Sequence, residues 1–102
     1  MSERIENIDQ VIQYWMKSAE KDHRTMHTLL NAGDYSWAMF IGHLVLEKLL
    51  KAHYVKNLGK HALFTHDLLR IAILAGLRPE GETADLLDEI SSFHINARYD
   101  NY

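Results

Sequence analysis

The chain has 102 residues, a hydrophobic fraction of 47%, a net charge of −3 with neutral histidines, and no cysteine. This length and apolar content predict one folded domain over residues 1–102 and argue against disorder. The lack of cysteine excludes disulfides, cysteine-based zinc sites and a cysteine nucleophile, and the mildly acidic charge is not typical of a strong nucleic-acid binder. The polar N-terminus has no signal-peptide pattern and no apolar run is long enough for a membrane span, so we expect a cytoplasmic protein.

The first predicted helix covers about residues 8–32. Apolar residues at spacings of three, four or seven form one seam along it: Ile8, Ile12, Trp15, Ala19, Met26 and Leu29. Gly33 is placed to end this helix in a left-handed conformation, and Asp34 or Ser36 is expected to cap the next helix. Asp22 lies on the apolar seam, where a carboxylate is costly unless it is paired or hydrogen-bonded.

The second predicted helix covers about residues 36–57 and is apolar on nearly every side. Between positions 37 and 50 its only polar side chains are His43, Glu47 and Lys48. Such a helix is buried on nearly every side. Because each helix of a monomeric four-helix bundle shows one face to water, we expect this helix to pack against a second copy of the chain in a C2 homodimer as well.

Two shorter helices complete the predicted fold. A linker over residues 58–64 leads to a third helix, which begins at Thr65 or Asp67 and ends at Leu74. Thr83 is expected to cap a fourth helix, whose apolar stripe comprises Ala84, Leu87, Ile90, Phe93 and Ala97. Four helices joined by short loops predict an all-α, antiparallel up-and-down four-helix bundle.

Charged residues interrupt the apolar pattern of the first two helices. Asp22 is expected to meet Lys48 or Lys51 in an ion pair at the edge of the core, while Glu47 and Lys51 form an i,i+4 pair in the favourable order. In the structural interpretation, these residues only form ion pairs that stabilise the fold. The functional alternative is a polar pocket in which the two lysines bind a ligand phosphate and Asp22 orients it.

Two further patterns are less specific. Residues 43–70 combine an excess of basic side chains with histidines and aromatics, a composition that suits nucleotide or RNA binding but equally suits a solvated helix face. His23 and His27 stand four residues apart, and Glu20 with His23 gives a Glu-x-x-His spacing. Di-iron bundles need a second such motif, which this chain lacks, so we predict neither a metal site nor a cofactor.

Several features together resemble the HEPN domain, a small helical domain of prokaryotes. The matching segments, in order, are Tyr14-Trp15, Ala19-Glu20-x-Asp22, Gly33-Asp34-Tyr35 with Phe40, Glu47-Lys48-x-Leu50-Lys51-Ala52, Thr65-His66-Asp67-Leu68 and Ala97-Arg98-Tyr99. Their order and spacing carry the resemblance, which extends from about Tyr14 to Tyr99. The resemblance implies an up-and-down helical bundle and a symmetric dimer.

The resemblance also implies functional partners. Many HEPN proteins act with a minimal nucleotidyltransferase encoded beside them, and the family has been proposed to bind nucleotides. We therefore expect a homodimer that binds a nucleotide or acts as the interaction partner of such an enzyme. The expected ligand-binding residues are Asp22, Lys48, Lys51, Arg98 and Tyr99. A purely structural interaction module without a small ligand is the alternative.

A large branch of the family consists of metal-independent ribonucleases, often toxins of toxin–antitoxin pairs, that use an Arg-x4-6-His motif near the last helices. This sequence departs from that motif, because no histidine follows Arg98, Arg70 or Arg78 at the required distance. A ribonuclease of this type would have to combine Arg98 with an unusual base such as His66 or His94. We expect no enzymatic activity of the chain on its own.

Overall fold

The computed structural model describes residues 7–96, and its regular elements are all helices. The four helices are α1 (Ile8–Asn31), α2 (Tyr35–Leu58), α3 (Leu68–Leu74) and α4 (Gly81–Asn96). They agree with the predicted segments to within a few residues. The prediction of an all-α helical bundle is confirmed.

Helix α2 is the centre of the fold. Helix α1 packs along α2, and α3 and α4 pack both on α2 and on each other. Within residues 8–96, the backbone of α1 does not approach that of α3 or α4 closely. Each of the other helices therefore covers a different part of α2, which accounts for the apolar residues on the faces that they cover.

The tightest part of the core lies where α3 meets α2. Leu68 and Ile71 of α3 and Val55 of α2 are fully buried. Burial of such a side chain contributes roughly 1.5–3 kcal/mol. The N-terminus of α3 is held at two points, because Asp67 Oδ1 accepts from the backbone N–H of Arg70 at 3.1 Å and Ser91 Oγ accepts from that of Leu68 at 2.9 Å. Asp67, one of the two residues predicted to begin this helix, is its N-cap, and Ser91 of α4 supplies a second cap.

Close packing between α1 and α2 depends on small residues. Ala19 of α1 and Ala38 of α2 are buried. A Cβ atom added at Gly42 would lie 3.2 Å from Met26 Sδ, which is tighter than ordinary van der Waals contact. Glycine inside a helix costs about 0.5–1 kcal/mol relative to alanine. At this position it allows the Met26 side chain to lie directly against the α2 backbone.

The helix ends differ from the predictions in two places. Gly33 has the predicted left-handed conformation, with φ +81°. Asp34 occupies the N-cap position of α2, but its side chain accepts no cap hydrogen bond there. Helix α4 begins at Gly81 rather than after Thr83, because the backbone N–H of Thr83 donates to the carbonyl of Glu80 at 3.1 Å. The predicted Thr83 cap is therefore wrong: a backbone turn at the preceding glycine starts the helix instead.

Candidate functional site

A buried carboxylate, Glu47 of α2, is the centre of the most polar part of the core. Its side chain is 6% exposed. Lys51 Nζ donates to Glu47 Oε2 at 2.9 Å, and His66 Nδ1 lies 2.7 Å from Oε1. His43 Nε2 is 3.7 Å from the same oxygen. Positions 43, 47 and 51 are each four residues apart, so three consecutive turns of α2 direct a histidine, a glutamate and a lysine to the same region.

His66 links the loop between α2 and α3 to this cluster. Its side chain is 53% exposed, yet one ring nitrogen meets the buried carboxylate of Glu47. Its backbone carbonyl accepts from Nε2 of the fully buried His43 at 2.9 Å. An ionised Glu47 requires a proton on Nδ1 of His66, and the carbonyl requires a proton on Nε2 of His43. The contacts therefore assign one tautomer to each histidine when it is neutral.

The electrostatics of the cluster keep Glu47 ionised. Burial disfavours the charged carboxylate, but hydrogen bonds from His66 and Lys51, with the charge of Lys51 and of protonated His66, outweigh it. The pKa of Glu47 consequently lies below its ordinary value. Lys51 is nearly buried as well, and its Nζ lies 5.4 Å from the centre of the Trp15 ring, within the range of a cation–π contact.

A second ion pair joins α1 to α2. Lys48 Nζ lies 2.6 Å from Asp22 Oδ2 and donates to Ser18 Oγ at 2.7 Å. The side chains of Lys48 and Asp22 are 21% and 18% exposed. Of the two lysines predicted as partners of Asp22, the structure selects Lys48. The ligand site predicted at Asp22, Lys48 and Lys51 stays a prediction, and its three residues belong to two separate ion pairs.

The remaining candidates are residues near position 98 and the two histidines of α1. Arg98 and Tyr99 lie outside the described residues, and so does the side chain of His94. His23 and His27 are exposed, and their rings meet edge to face with centres 4.6 Å apart. In the part of the chain that the structure describes, no group of three or more histidine, aspartate or glutamate side chains is arranged to hold a metal ion.

Sequence reasoning missed the shape of the Glu47 cluster. It treated Glu47 only as the helical partner of Lys51, and His43 only as part of a basic strip. The available signal was the regular spacing of His43, Glu47 and Lys51 along a helix that is otherwise apolar, which predicts a shared polar face. The contribution of His66 carries no such local signal, because it comes from a loop 19 positions away from Glu47.

An apolar groove runs along another face of α2. This groove, which we name the α2 groove, has a volume of about 360 Å³. We define it by its apolar lining residues from α1, α2 and α4: Met26, Leu30, Met39, Leu46, Ile90 and Phe93. Leu30 and Met39 are 40% and 44% exposed. Leu49 and Leu86, also exposed, extend the same stripes of α2 and α4 at helical spacing. The groove lies between α1 and α4, whose backbones flank α2 without approaching each other closely within residues 8–96.

Comparison with known proteins assigns the fold. A family model for the HEPN domain matches residues 12–102. The chain belongs to the HEPN domain family. The resemblance recognised in the sequence is confirmed. Two of the resembling segments supply Glu47, Lys51 and His66 of the buried cluster. No curated protein and no solved structure matches the chain. Among residues 7–96, none of the helices combines the length and apolar character that a membrane crossing requires.

Proposed function

We propose that this HEPN domain is a homodimeric interaction module that pairs through the α2 groove and acts as the partner of a minimal nucleotidyltransferase. The observation that carries the proposal is the groove itself, an exposed apolar surface built from three helices. Contiguous exposed apolar surface on a small domain marks an interaction site more often than a solvated face. A partner role needs no catalytic group on the chain.

The shape of the groove suits a second copy of the chain. Its α2 wall runs from Ala38 to Leu46, and the exposed Leu49 extends this wall to a length of about 18 Å. A stable interface buries about 800 Å² on each partner, so surface on both sides of the groove would contribute to a dimer. A C2 pair would place the same apolar stripes of both copies face to face, so that one surface serves both sides.

The charge distribution favours the interaction role over nucleotide binding at the predicted pocket. Asp22 neutralises Lys48, and Glu47 neutralises the nearly buried Lys51. A phosphate would gain the charge of Lys48 only by displacing Asp22. Nucleotide binding at these residues is therefore a distinct proposal, tested by adding ATP, GTP or a short RNA to isotope-labelled protein and following the backbone amide shifts around Asp22, Lys48 and Lys51.

Sedimentation equilibrium tests the dimer. Met39→Glu introduces a charge in the α2 groove, and Ile73→Glu introduces the same charge on exposed α3 as the matched control. Met39 and Ile73 are 44% and 56% exposed, so neither change buries a charge within the protomer. We expect the wild type and Ile73→Glu to be dimers and Met39→Glu to be a monomer. A monomeric wild type at millimolar concentration, or a dimeric Met39→Glu, would refute pairing through the groove.

One observation favours a second candidate function, a metal-independent ribonuclease. The buried carboxylate of Glu47 orients the half-exposed imidazole of His66, an arrangement that enzymes use to position a general base. This candidate predicts RNA cleavage in the presence of a chelator that is abolished in His66→Ala and retained in His53→Ala. Intact RNA after incubation with the wild-type protein, or cleavage that survives His66→Ala, would exclude it.

A further inference from the structure

A second apolar surface lies on α3 and α4, away from the α2 groove. We define the α3–α4 groove, about 380 Å³ in volume, by its lining residues: Asp67, Leu69, Arg70, Ile73, Leu74 and Asp88. Helix α3 reads LLRIAIL, with a single polar residue. Its inner face packs in the core through Leu68, Ile71 and Ala72. Ile73 and Leu74 face outward and are 56% and 43% exposed, so the core does not account for the apolar character of the outer face.

The segment that carries this groove is acidic, and the groove itself is lined by two carboxylates, Asp67 and Asp88, and one arginine, Arg70. Residues 67–92 carry six carboxylates and two arginines, a net charge of −4, whereas the whole chain has −3. The remainder of the chain is therefore slightly basic. All six carboxylates are exposed. Asp85 and Asp88 are three residues apart on α4 and share one face of that helix. An outward apolar strip thus lies beside the most negative part of the molecule.

The three faces of α4 have different partners. One faces the core, where Ser91 accepts from the backbone N–H of Leu68. A second, with Ile90 and Phe93, lines the α2 groove. The third, with Asp88, lines the α3–α4 groove. A dimer formed through the α2 groove therefore leaves the α3–α4 groove open.

We propose that the α3–α4 groove docks an amphipathic helix of a different protein, one whose apolar stripe is flanked by lysines or arginines. Helix α3 has seven residues and is about 10 Å long. This length matches two apolar side chains of a docked helix at i and i+4, which lie about 6 Å apart along its axis. Basic flanks would meet Asp88, which lines the groove, and Asp85, one turn earlier on α4. A second copy of this chain fits poorly, because a symmetric contact would bring the negatively charged segments of both copies together.

The proposal can be tested with a synthetic probe. The probe is an acetylated peptide of about 16 residues, long enough to become helical on binding, with leucines at i, i+4 and i+7 and lysines elsewhere. A matched peptide replaces every lysine by glutamate. Each is titrated into isotope-labelled wild-type protein while backbone amide shifts are followed. We expect saturable shifts confined to residues 67–74 and 85–92 with the lysine peptide, and none with the glutamate peptide.

Variants separate docking from non-specific charge attraction. Asp88→Lys should weaken binding of the lysine peptide about tenfold or more and allow the glutamate peptide to bind. Asp34→Lys makes the same change in net charge at the α1–α2 turn and should leave the affinity unchanged. Ile73→Glu should abolish binding. Equal weakening by both lysine substitutions, an unaffected Ile73→Glu, or shifts confined to the α2 groove would overturn the proposal.

The same experiment distinguishes this docking surface from the dimer interface. Met39→Glu is expected to dissociate the dimer while leaving the affinity of each protomer for the lysine peptide within about twofold of wild type. Loss of the dimer with retained peptide binding supports both proposals. Loss of peptide binding in Met39→Glu would show that the probe binds at the α2 groove and would overturn docking at the α3–α4 groove.

Discussion

Replacing Glu47 by glutamine tests whether the buried cluster stabilises the fold through charge. The substitution keeps the size of the side chain and one oxygen that can accept a hydrogen bond. It removes the negative charge that faces Lys51, whose side chain is only 8% exposed. Lys51 would then be a nearly buried cation without its carboxylate.

The expected loss can be bounded from the structure. Removing one partner of a buried ion pair costs about 3–5 kcal/mol. One contact reduces this loss in Glu47→Gln, because the amide oxygen can still accept one hydrogen bond, worth about 1 kcal/mol. The contact between Lys51 and the Trp15 ring is present in both proteins and leaves the difference unchanged. We therefore expect the free energy of unfolding to fall by about 2–4 kcal/mol, a large part of the 5–15 kcal/mol typical of a domain.

Urea unfolding followed by far-UV circular dichroism measures this change. Wild type, Glu47→Gln, Lys51→Met and the double variant are compared at one protomer concentration, because the proposed pairing would make stability depend on concentration. Because the double variant removes both charges, its loss should be smaller than the sum of the single losses by about 1–3 kcal/mol. A loss below about 0.5 kcal/mol in Glu47→Gln, or strictly additive losses, would mean that the cluster does not act as a buried charge pair.

Three further predictions concern pH and individual contacts. Because the pKa of Glu47 is lowered in the folded state, its stabilising contribution is complete above about pH 4.3 and is lost as the pH falls through the folded-state value. Acid titration of the unfolding free energy should therefore show a steeper decline for wild type than for Glu47→Gln. Ser91→Ala removes the acceptor for the buried backbone N–H of Leu68 and should cost about 1–3 kcal/mol in urea unfolding, whereas the exposed Ser92→Ala should cost less than 0.5 kcal/mol. Asp22→Asn leaves Lys48 partly accessible to water and should cost only about 1 kcal/mol, and an equal loss in Asp22→Asn and Glu47→Gln would contradict the difference in burial.

The sequence predicted the helices because their signals are local. Apolar periodicity defines α1 and α4, and Gly33 lies at the end of α1 with the expected left-handed backbone. The ion pair between Asp22 and a lysine of α2 was also predictable, since the seam of α1 places Asp22 against the neighbouring helix. The choice of Lys48 over Lys51 depends on the rotation of α2 about its axis, which the near-uniform apolar pattern of that helix does not specify.

The contact between His66 and Glu47 could not be predicted in the same way. His66 lies in a loop, so its side-chain direction follows from how α3 docks on α2 rather than from any repeat in the sequence. The outer face of α3 is a similar case. A helix of seven residues is too short for its apolar pattern to separate a core-facing from an exposed side, so the exposure of Ile73 follows only from how α3 packs in the fold.

The double attachment of His66 to α2 also determines where this domain can accept extra residues. The ring and the carbonyl of this one residue are bound to consecutive turns of α2. Upstream, the side chain of Phe64 is fully exposed. Lengthening a loop twofold costs only about 0.6 kcal/mol in closure entropy. A tag or spacer inserted between residues 61 and 64 should therefore be tolerated, whereas the same insertion between residues 66 and 68 would separate the attachment point from the start of α3. Insertions in the loop between α2 and α3 should therefore be tolerated only on the N-terminal side of His66.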